Sequence, residues 1–357
     1  MPLRILHIDA GRDWRGGQRQ VWLLAQGLRA HGHEPLVVGV PDSPLLQRLR
    51  ARGVAVAAVP MRADWDLRAA RRIRKLVRAW RPDIVHAHDA RGHALALAAL
   101  LGSRIPLVVT RRVSFTPKSV RFKYGPRVGH FIAISAAVRD ALVGAGIAAE
   151  RIEVVFSGVP VPRVTTPREW RAECGWPRDT VVCGVVGAMT AEKGVELLTE
   201  VATRLPEEAR SRARLVLLGG TSSGRCTIGG IEAYRAGFVD EIHSAMAGLD
   251  VLWHPSSAEG LGTAVIDALA LGVPPVCFAV GGLVEVVQHE RNGLLVRAGD
   301  VHAFATAAAR LIVDAQLRRR LGAAGPARAV DFDVERMVSG SERVYEEVLS
   351  RRPARTA

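Results

Sequence analysis

Four short segments carry residue types whose spacing could do chemistry. The first is HPSSAEGLGTAVIDALALGVPPV, residues 254–276. An apolar strand ends at His254, and the Gly-rich turn Glu259-Gly260-Leu261-Gly262 opens a helix at about Thr263. The first amides of a helix have no intrahelical partners and sit at its positive end, so such a turn is built to receive an anion. Glu259 lies in the turn, and Asp267 follows eight residues on, past the first turn of the helix. Both acids can then face one pocket, accepting hydroxyl hydrogen bonds while the glycine amides hold a phosphate. An ordinary capped helix with a glutamate near its positive end has the same pattern.

The second segment is VVGAMTAEKGVELL, residues 185–198. A strand ends at Gly187, and Lys193-Gly194 opens a helix. A lysine in a first turn opposes the helix dipole unless an anion sits there too. Lys193 is also the only lysine after residue 160. The third, Gly11–Gly17 (GRDWRGG), follows the first strand at the position of a phosphate loop, with Arg12, Arg15 and Arg19 around it. It matches neither the GxGxxG nor the P-loop spacing. The fourth is DIVHAHD, residues 83–89, where His86 and His88 alternate on one strand and share a face. A metal site would need a third ligand, and the sequence offers no obvious one. These histidines read as structural hydrogen-bonders or as contacts for a sugar or acceptor.

The elements that must hold these segments form two alternating sets. Apolar runs at 3–8, 36–40, 54–59, 83–88, 107–110, 130–134 and 152–155 read as strands. Amphipathic stretches at 18–30, 43–52, 67–81, 90–101 and 135–144 read as helices between them. The pattern restarts with strands at 181–187, 214–218, 250–254, 275–278 and 294–296, with helices at 194–204, 240–248, 262–271 and 282–289 and two terminal helices. Uninterrupted apolar strands alternating with helices imply an α/β fold with parallel sheets covered on both faces. The Pro-rich stretch VPVPRVTTPREW, with Pro160, Pro162 and Pro167, separates the sets. Ligands of such sheets bind at the carboxyl ends of the strands. A cleft between two doubly wound domains is therefore expected to hold the ligand.

With 357 residues, 48% of them apolar, the chain is long and apolar enough for two self-sufficient domains and is not a disordered chain. The four cysteines, at 174, 183, 226 and 277, form no CxxC pair, which argues against a zinc knuckle or a disulfide framework. Charge appears too early for a signal peptide, and no window approaches the roughly 20 apolar residues that span a bilayer. A cytoplasmic protein is expected. The formal charge of +14 is uneven: residues 1–160 carry a net +15 and the remainder −1. That asymmetry points to an anionic partner for the first half.

Two segments concentrate this charge. LRAARRIRKLVRAWR, residues 67–81, sets Ile73, Leu76, Val77 and Trp80 on one side and seven basic residues over most of the rest. It fits a helix lying on an anionic bilayer, and equally a sheet-covering helix with a charged outer face. The loop at 111–127 interleaves Arg111, Arg112, Lys118, Arg121, Lys123 and Arg127 with Phe115, Phe122 and Tyr124. Its length marks it as functional, and it suits a nucleic acid, lipid headgroups or a phosphorylated glycan.

Taken together, these segments resemble the bacterial retaining glycosyltransferases of family 4 (glycosyl transferases group 1). The resemblance covers nearly the whole chain. It rests on the family's E-x7-E segment at Glu259 to Asp267, on Glu192-Lys193-Gly194, and on Gly-Phe-Val-Asp at 237–240. Gly281-Gly282 with Glu285, Asn292-Gly293, Gly16-Gly17 and the DIVHAH strand complete it. It implies a GT-B fold, two Rossmann-like doubly wound domains facing a cleft: 1–160 for the acceptor, 161–328 for the nucleotide sugar, and a terminal helix within 329–357 crossing back to the first domain. By this resemblance Lys193 holds the donor diphosphate, Glu259 orients the donor sugar, Asp267 binds the ribose and Gly16-Gly17 close over the diphosphate. Residues from Gly260 to Thr263 complete the donor site, and Phe238 and Val239 border the base. Arg15, Arg19, His88, Arg111 and Arg112 remain candidates for acceptor or phosphate contact.

The sequence departs from the family pattern at four places. Ala188 stands where an arginine is usual, Arg19 replaces an acid, Arg111 or Arg112 takes a histidine's place, and Asp267 is one methylene shorter than glutamate. Arg112 or Arg225 is the candidate to replace the charge missing at 188. The implied activity is transfer of a sugar from a nucleotide-sugar donor to a cell-envelope glycan or lipid-linked acceptor. Configuration would be retained, with no metal and no cofactor, and with peripheral contact to an anionic membrane. A GT-B nucleotide-sugar epimerase would share the fold but need no acceptor. A basic nucleic-acid-binding protein would explain the +15 half but not the Gly-rich anion sites, so no nucleic acid is expected as partner.

Overall fold

The computed structural model describes residues 1–117, 123–161 and 166–351. Lys118, Arg121, Phe122 and Pro162 lie outside the described residues. The chain divides into two compact units, Met1–Gly158 with Val334–Ala357, and Val159–Asp333.

The first unit is built on a seven-stranded parallel sheet. Its strands are β1 (Arg4–Ile8), β2 (Glu34–Gly39), β3 (Ala55–Ala58), β4 (Ile84–Ala87), β5 (Leu107–Arg111), β6 (His130–Ala133) and β7 (Ile152–Val154), ordered β3-β2-β1-β4-β5-β6-β7. The strand order reverses between β1 and β4, which puts His7 of β1 beside His86 of β4 in register. Crossovers are made by α1 (Gly16–Ala30), α2 (Pro44–Ala51), α3 (Leu67–Trp80), α4 (Ala90–Ala99) and α5 (Ala136–Val143). Side chains set several starts. Asp66 accepts from Ala69 N ahead of α3, Asp89 from Arg91 N and Gly92 N ahead of α4, and Ser135 from Val138 N ahead of α5. Such caps contribute about 1 kcal/mol each. Helix α3 turns Ala69, Ala70, Ile73 and Val77 inward, so its apolar stripe covers the sheet and its basic face is the outer one.

The second unit holds another seven-stranded sheet. Its strands are β8 (Val181–Val186), β9 (Ala213–Leu218), β10 (Ser223–Ile228), β11 (Ile231–Gly237), β12 (Val251–His254), β13 (Pro275–Phe278) and β14 (Leu294–Val296), ordered β10-β11-β9-β8-β12-β13-β14. Its helices are α6 (Trp170–Cys174), α7 (Leu198–Arg204), α8 (Glu207–Arg212), α9 (Ile242–Ala247), α10 (Thr263–Ala270), α11 (Leu283–Val286), α12 (Val301–Val313) and α13 (Ala315–Ala329). The sequence reading gave no element between 219 and 237. The structure forms a hairpin there, with β10 antiparallel to β11 around Gly229-Gly230, both at positive φ (54° and 84°). A two-residue turn with both φ positive matches the twist of the strands, and Gly-Gly supplies it without strain. The helix expected at 282–289 is one turn, α11, and that expected at 194–204 begins as a 3-10 turn at Val195–Leu197.

A final helix, α14 (Val334–Ser350), belongs to the first unit. It buries Met337, Val338, Val344, Tyr345 and Val348 against Ile5, Leu24, Leu28, Ile84 and Val108. Each such side chain contributes roughly 1.5–3 kcal/mol. Contact with α1 is close: a Cβ on Gly27 would stand 2.3 Å from a Val338 methyl. A polar clasp closes the edge. His31 meets Glu335 through Nε2 and Glu342 through Nδ1, both at 2.8 Å, and His33 Nε2 donates to Glu342 at 3.0 Å. His33 Nδ1 accepts from Leu3 N, which fixes its tautomer. Both His31 nitrogens face carboxylates, so the imidazolium is favoured, and the bond to Glu342 raises its pKa.

A raised histidine pKa stabilises the fold below its unfolded value, and the contribution fades as pH rises through the folded value. His31→Ala should therefore lower the melting temperature more at pH 6 than at pH 9. The difference is expected at about 0.5 kcal/mol, since partly exposed pairs contribute roughly 0.2–1 kcal/mol. Thermal melts at the two pH values give the comparison; an equal loss at both would contradict it.

Candidate functional site

In the second unit the chemistry gathers where β8 and β12 end. After β8 the chain turns at Gly187 (φ 139°), makes a 3-10 turn at Ala191–Lys193, and reverses at Gly194 (φ 71°). A Cβ on Gly194 would stand 2.0 Å from Pro255 O. Glycine alone lets this turn lie on the segment after β12, where Ser257 N donates to Glu192 O at 3.0 Å. The turn delivers the Lys193 ammonium onto Glu259 Oε1. From the other side, Gly281 (φ 50°) packs so tightly that its Cβ would stand 1.8 Å from Glu259 O.

His254, at the end of β12, reaches Glu259 Oε1 through Nε2 at 2.8 Å, with Ser256 Oγ 3.2 Å from the same nitrogen. Nε2 must carry the proton, because a carboxylate only accepts. The Glu259 side chain is 9% exposed. Burial pushes its carboxyl up. The hydrogen bond and charge of His254, then the Lys193 ammonium, outweigh that and hold it at about 2. Glu259 is thus a fixed carboxylate with a cation on it. Burial, reinforced by this charge, pushes the Cys277 thiol far above its ordinary range.

The remaining donor-site candidates divide. Gly262 (φ 89°) precedes α10, and a Cβ there would stand 2.4 Å from Leu283. No side chain caps α10 among the described residues; Val265 N and Ile266 N donate to Gly262 O, so the amides ahead of Val265 are the ones that can meet a ligand. Leu261 is fully buried beneath the turn, and Gly260 is half-buried within it. Asp267, expected to share a pocket with Glu259, is 3% exposed, and its Oδ1 lies 3.0 Å from His243 Nε2 of α9. Phe238 is exposed and Val239 half-buried after β11. A pocket of about 330 Å³ opens beside the lysine loop, lined by Met189, Val195, Leu217, Gly219, Thr221 and Arg235. Arg225 does not replace the charge missing at Ala188: it donates to Glu232 at 2.7 Å and to Cys174 O at 2.6 Å.

In the first unit, Gly16 and Gly17 open α1, with Arg15 at the cap position and no acid in the first turn. Arg15 makes an exposed pair with Asp13 at 3.3 Å. Arg19 lies half-buried in the first turn of α1. Arg112 lies beside Gly17, its Cδ 3.8 Å from where a Cβ would stand. Burial lowers the Arg112 pKa to about 10, and the charges of Asp9 and Asp89 oppose that shift. Burial, then the Asp89 charge, raise Asp9 in turn. Arg111 proves to be a brace of the loop after β5, donating to Tyr124 Oη at 2.7 Å and to Phe115 O.

His88 Nε2 lies 2.9 Å from His7 Nδ1, so His7 supplies the third imidazole that the sequence did not reveal. Ring nitrogens of His7, His86 and His88 fall within 4.8 Å of one another, all buried. Burial lowers all three pKa values, His7 to about 3. Both His86 nitrogens are engaged, at 2.7 Å from Tyr345 Oη and from Thr110 Oγ1, and the Arg112 charge stands against the cluster. His7 and His88 are hydrogen-bonded to each other, while His86 bonds Tyr345 and Thr110 and packs beside them. As a cation site the set fits poorly, because a guanidinium faces it and one member has no lone pair to spare.

Residues 167–328 match the family model described as glycosyl transferases group 1, and residues 14–163 match glycosyltransferase family 4. A D-inositol 3-phosphate glycosyltransferase of Xylanimonas cellulosilytica is 31% identical over 314 residues, 76% of this chain and 74% of that protein. The chain belongs to the family 4 glycosyltransferases. A 2-deoxystreptamine N-acetyl-D-glucosaminyltransferase of Streptomyces fradiae is 29% identical, covering 87% of this glycosyltransferase and 85% of the relative. Among solved structures, Anabaena HepE, crystallised with UDP and glucose, superposes with a TM-score of 0.83 at 20% identity, over 97% of this chain and all of that one. The fold is GT-B, built of two Rossmann-like units, and the protein is an enzyme that transfers sugars.

Glu259→Gln should destabilise the second unit by about 1–3 kcal/mol at neutral pH, the cost of leaving buried donors without their acceptor. A carboxyl whose pKa is lowered by folding stabilises above its unfolded value and loses that contribution as pH falls. The deficit should stay flat from pH 8 to 5 and shrink only between the ordinary carboxylate range and about 2. Urea unfolding across this range would show it, and a deficit that grows on acidification would contradict the charge assignment.

Proposed function

We propose that the enzyme transfers a sugar from a nucleoside-diphosphate sugar to an anionic cell-envelope glycan or lipid-linked acceptor, retaining configuration and using no metal. The observation that carries the donor reading is the Lys193–Glu259–His254 contact at the mouth of α10. Breaking the bond to the leaving diphosphate places negative charge on its oxygens. A preorganised ammonium and uncapped helix amides stabilise that charge without having to reorganise. Lys193 supplies the first and the amides after Gly262 supply the second. Positive charge so placed does what a divalent ion does elsewhere.

Glu259, held ionised by the His254 hydrogen bond and the Lys193 ammonium, accepts from sugar hydroxyls and orients the ring. The pocket beside Met189 takes the nucleoside end, with Asp267 and His243 next to the ribose. HepE, crystallised with UDP and glucose, supports a nucleotide-sugar donor. The inositol phosphate acceptor named for the Xylanimonas relative, together with the net +15 of residues 1–160, supports an anionic acceptor. Retention follows the family resemblance. An epimerase would share the donor contacts but form product with no acceptor present.

Lys193→Ala should lower kcat by roughly 10²–10³-fold, as loss of a donor aimed at developing charge does elsewhere. Its far-UV circular dichroism should match the parent. Turnover within threefold of the parent's would remove Lys193 from the mechanism. Nuclear magnetic resonance of the product's anomeric proton reports the configuration.

A further inference from the structure

The outer face of α3 has no role in the donor chemistry, yet it carries a dense row of basic residues. Inside the helix, Ile73 and Val77 cover the sheet, and Arg74 is spent on structure. Arg74 donates to the carbonyls of Ala99 and Leu101, each at 2.9 Å, and of Ala98 at 3.2 Å, around the end of α4. The other basic residues point outward. Arg68, Arg71, Arg72, Lys75 and Arg78 are all exposed. At 3.6 residues per turn they fall within an arc of about 120°. No acid occurs from 67 to 81. The two nearest acids upstream are engaged: Asp66 caps the helix, and Asp64 pairs with Lys123 at 2.8 Å and Arg91 at 3.7 Å.

Apolar surface stands at the start of the same face. Trp65 is 60% exposed and Leu67 61%. Leu67 sits next to Arg71 and Arg78 on the helical projection. A cationic arc bordered by an exposed tryptophan and leucine is the combination of two weak signals that together hold a protein on an anionic bilayer. Tryptophan suits the headgroup level, where one side of the ring is wet.

We propose that the α3 face, with Trp65 and Leu67 as its wedge, docks the enzyme on an anionic phospholipid surface. The proposal deepens the reading of a lipid-linked acceptor and rests on it only in making the bilayer the acceptor's carrier. The sequence alone allowed either an interfacial helix or a sheet-covering one; in the structure a single helix serves as both, with opposite faces.

Co-sedimentation of the full chain with phosphatidylcholine vesicles, with and without phosphatidylglycerol, tests it. Binding should appear only with phosphatidylglycerol. Arg71→Glu, Lys75→Glu and Arg78→Glu together should lower the partition coefficient by at least about tenfold, since each residue near the surface adds to the attraction. Trp65→Ser with Leu67→Ser should leave binding in low salt and abolish it in high salt. Arg178→Glu, Arg291→Glu and Arg319→Glu make the same change in charge on exposed positions of the second unit and should bind as the parent does. Equal loss in that control, or no loss in the α3 variant, overturns the proposal. So does α3-dependent binding of a duplex oligonucleotide with no binding to vesicles. Stabilisation by UDP-glucose, GDP-mannose or ADP-glucose, read as a shift in melting temperature, is measured on every variant. Failure of all three on the parent counts against the donor reading and leaves the vesicle result standing.

Discussion

One buried charge governs the second unit: the Glu259 carboxylate, which cannot exist in a nearly dry turn without cations against it. Taking a carboxylate out of water costs several kcal/mol, and only well-placed partners offset that. Two backbone reversals through glycine, at 194 and 281, press their neighbours close enough to supply the partners. The strand end at His254, the lysine turn and the start of α10 are therefore positioned by a common requirement. If any one of them moved by an ångström, the carboxylate would lose a ligand and the turn its reason to stay ordered.

The first unit solves a different problem with similar means. Its strand reversal between β1 and β4 collects histidines, acids and Arg112 at the carboxyl ends of the strands. Here the imidazoles are neutral, because burial disfavours their charged forms and a guanidinium adds to that. The result is a polar but nearly uncharged floor under the acidic pair. The strong positive field lies elsewhere, on the outward side of α3 and at exposed arginines.

Much of this was legible in the sequence, and the losses have particular causes. Strands and crossover helices were readable because parallel strands are apolar throughout and helices are periodic. Lys193 and Glu259 stood out by type and position, a lone lysine at a helix start and an acid in a glycine turn. The β10–β11 hairpin around Ile228-Gly-Gly-Ile231 is not in the sequence reading, because its strands alternate exposed and buried residues and lack the continuous apolar runs that mark the parallel strands. His254 and His243 were passed over since their partners, Glu259 and Asp267, lie on other elements. The His7 contact needs the strand order, which no local pattern reveals. Arg111, a candidate by its place at the family's histidine, has partners in Tyr124 and Phe115 O that only the fold shows.

Helix α14 closes the core of the first unit with residues from the far end of the chain. On the ribosome, domains form as soon as their residues have emerged, ordinarily from the N-terminus onward. Here the order is inverted. Residues 159–333 can fold on emerging, while the sheet that begins at Arg4 keeps an uncovered apolar face until Tyr345 and Val348 arrive. The first unit is thus completed only after the unit that follows it in sequence has been made.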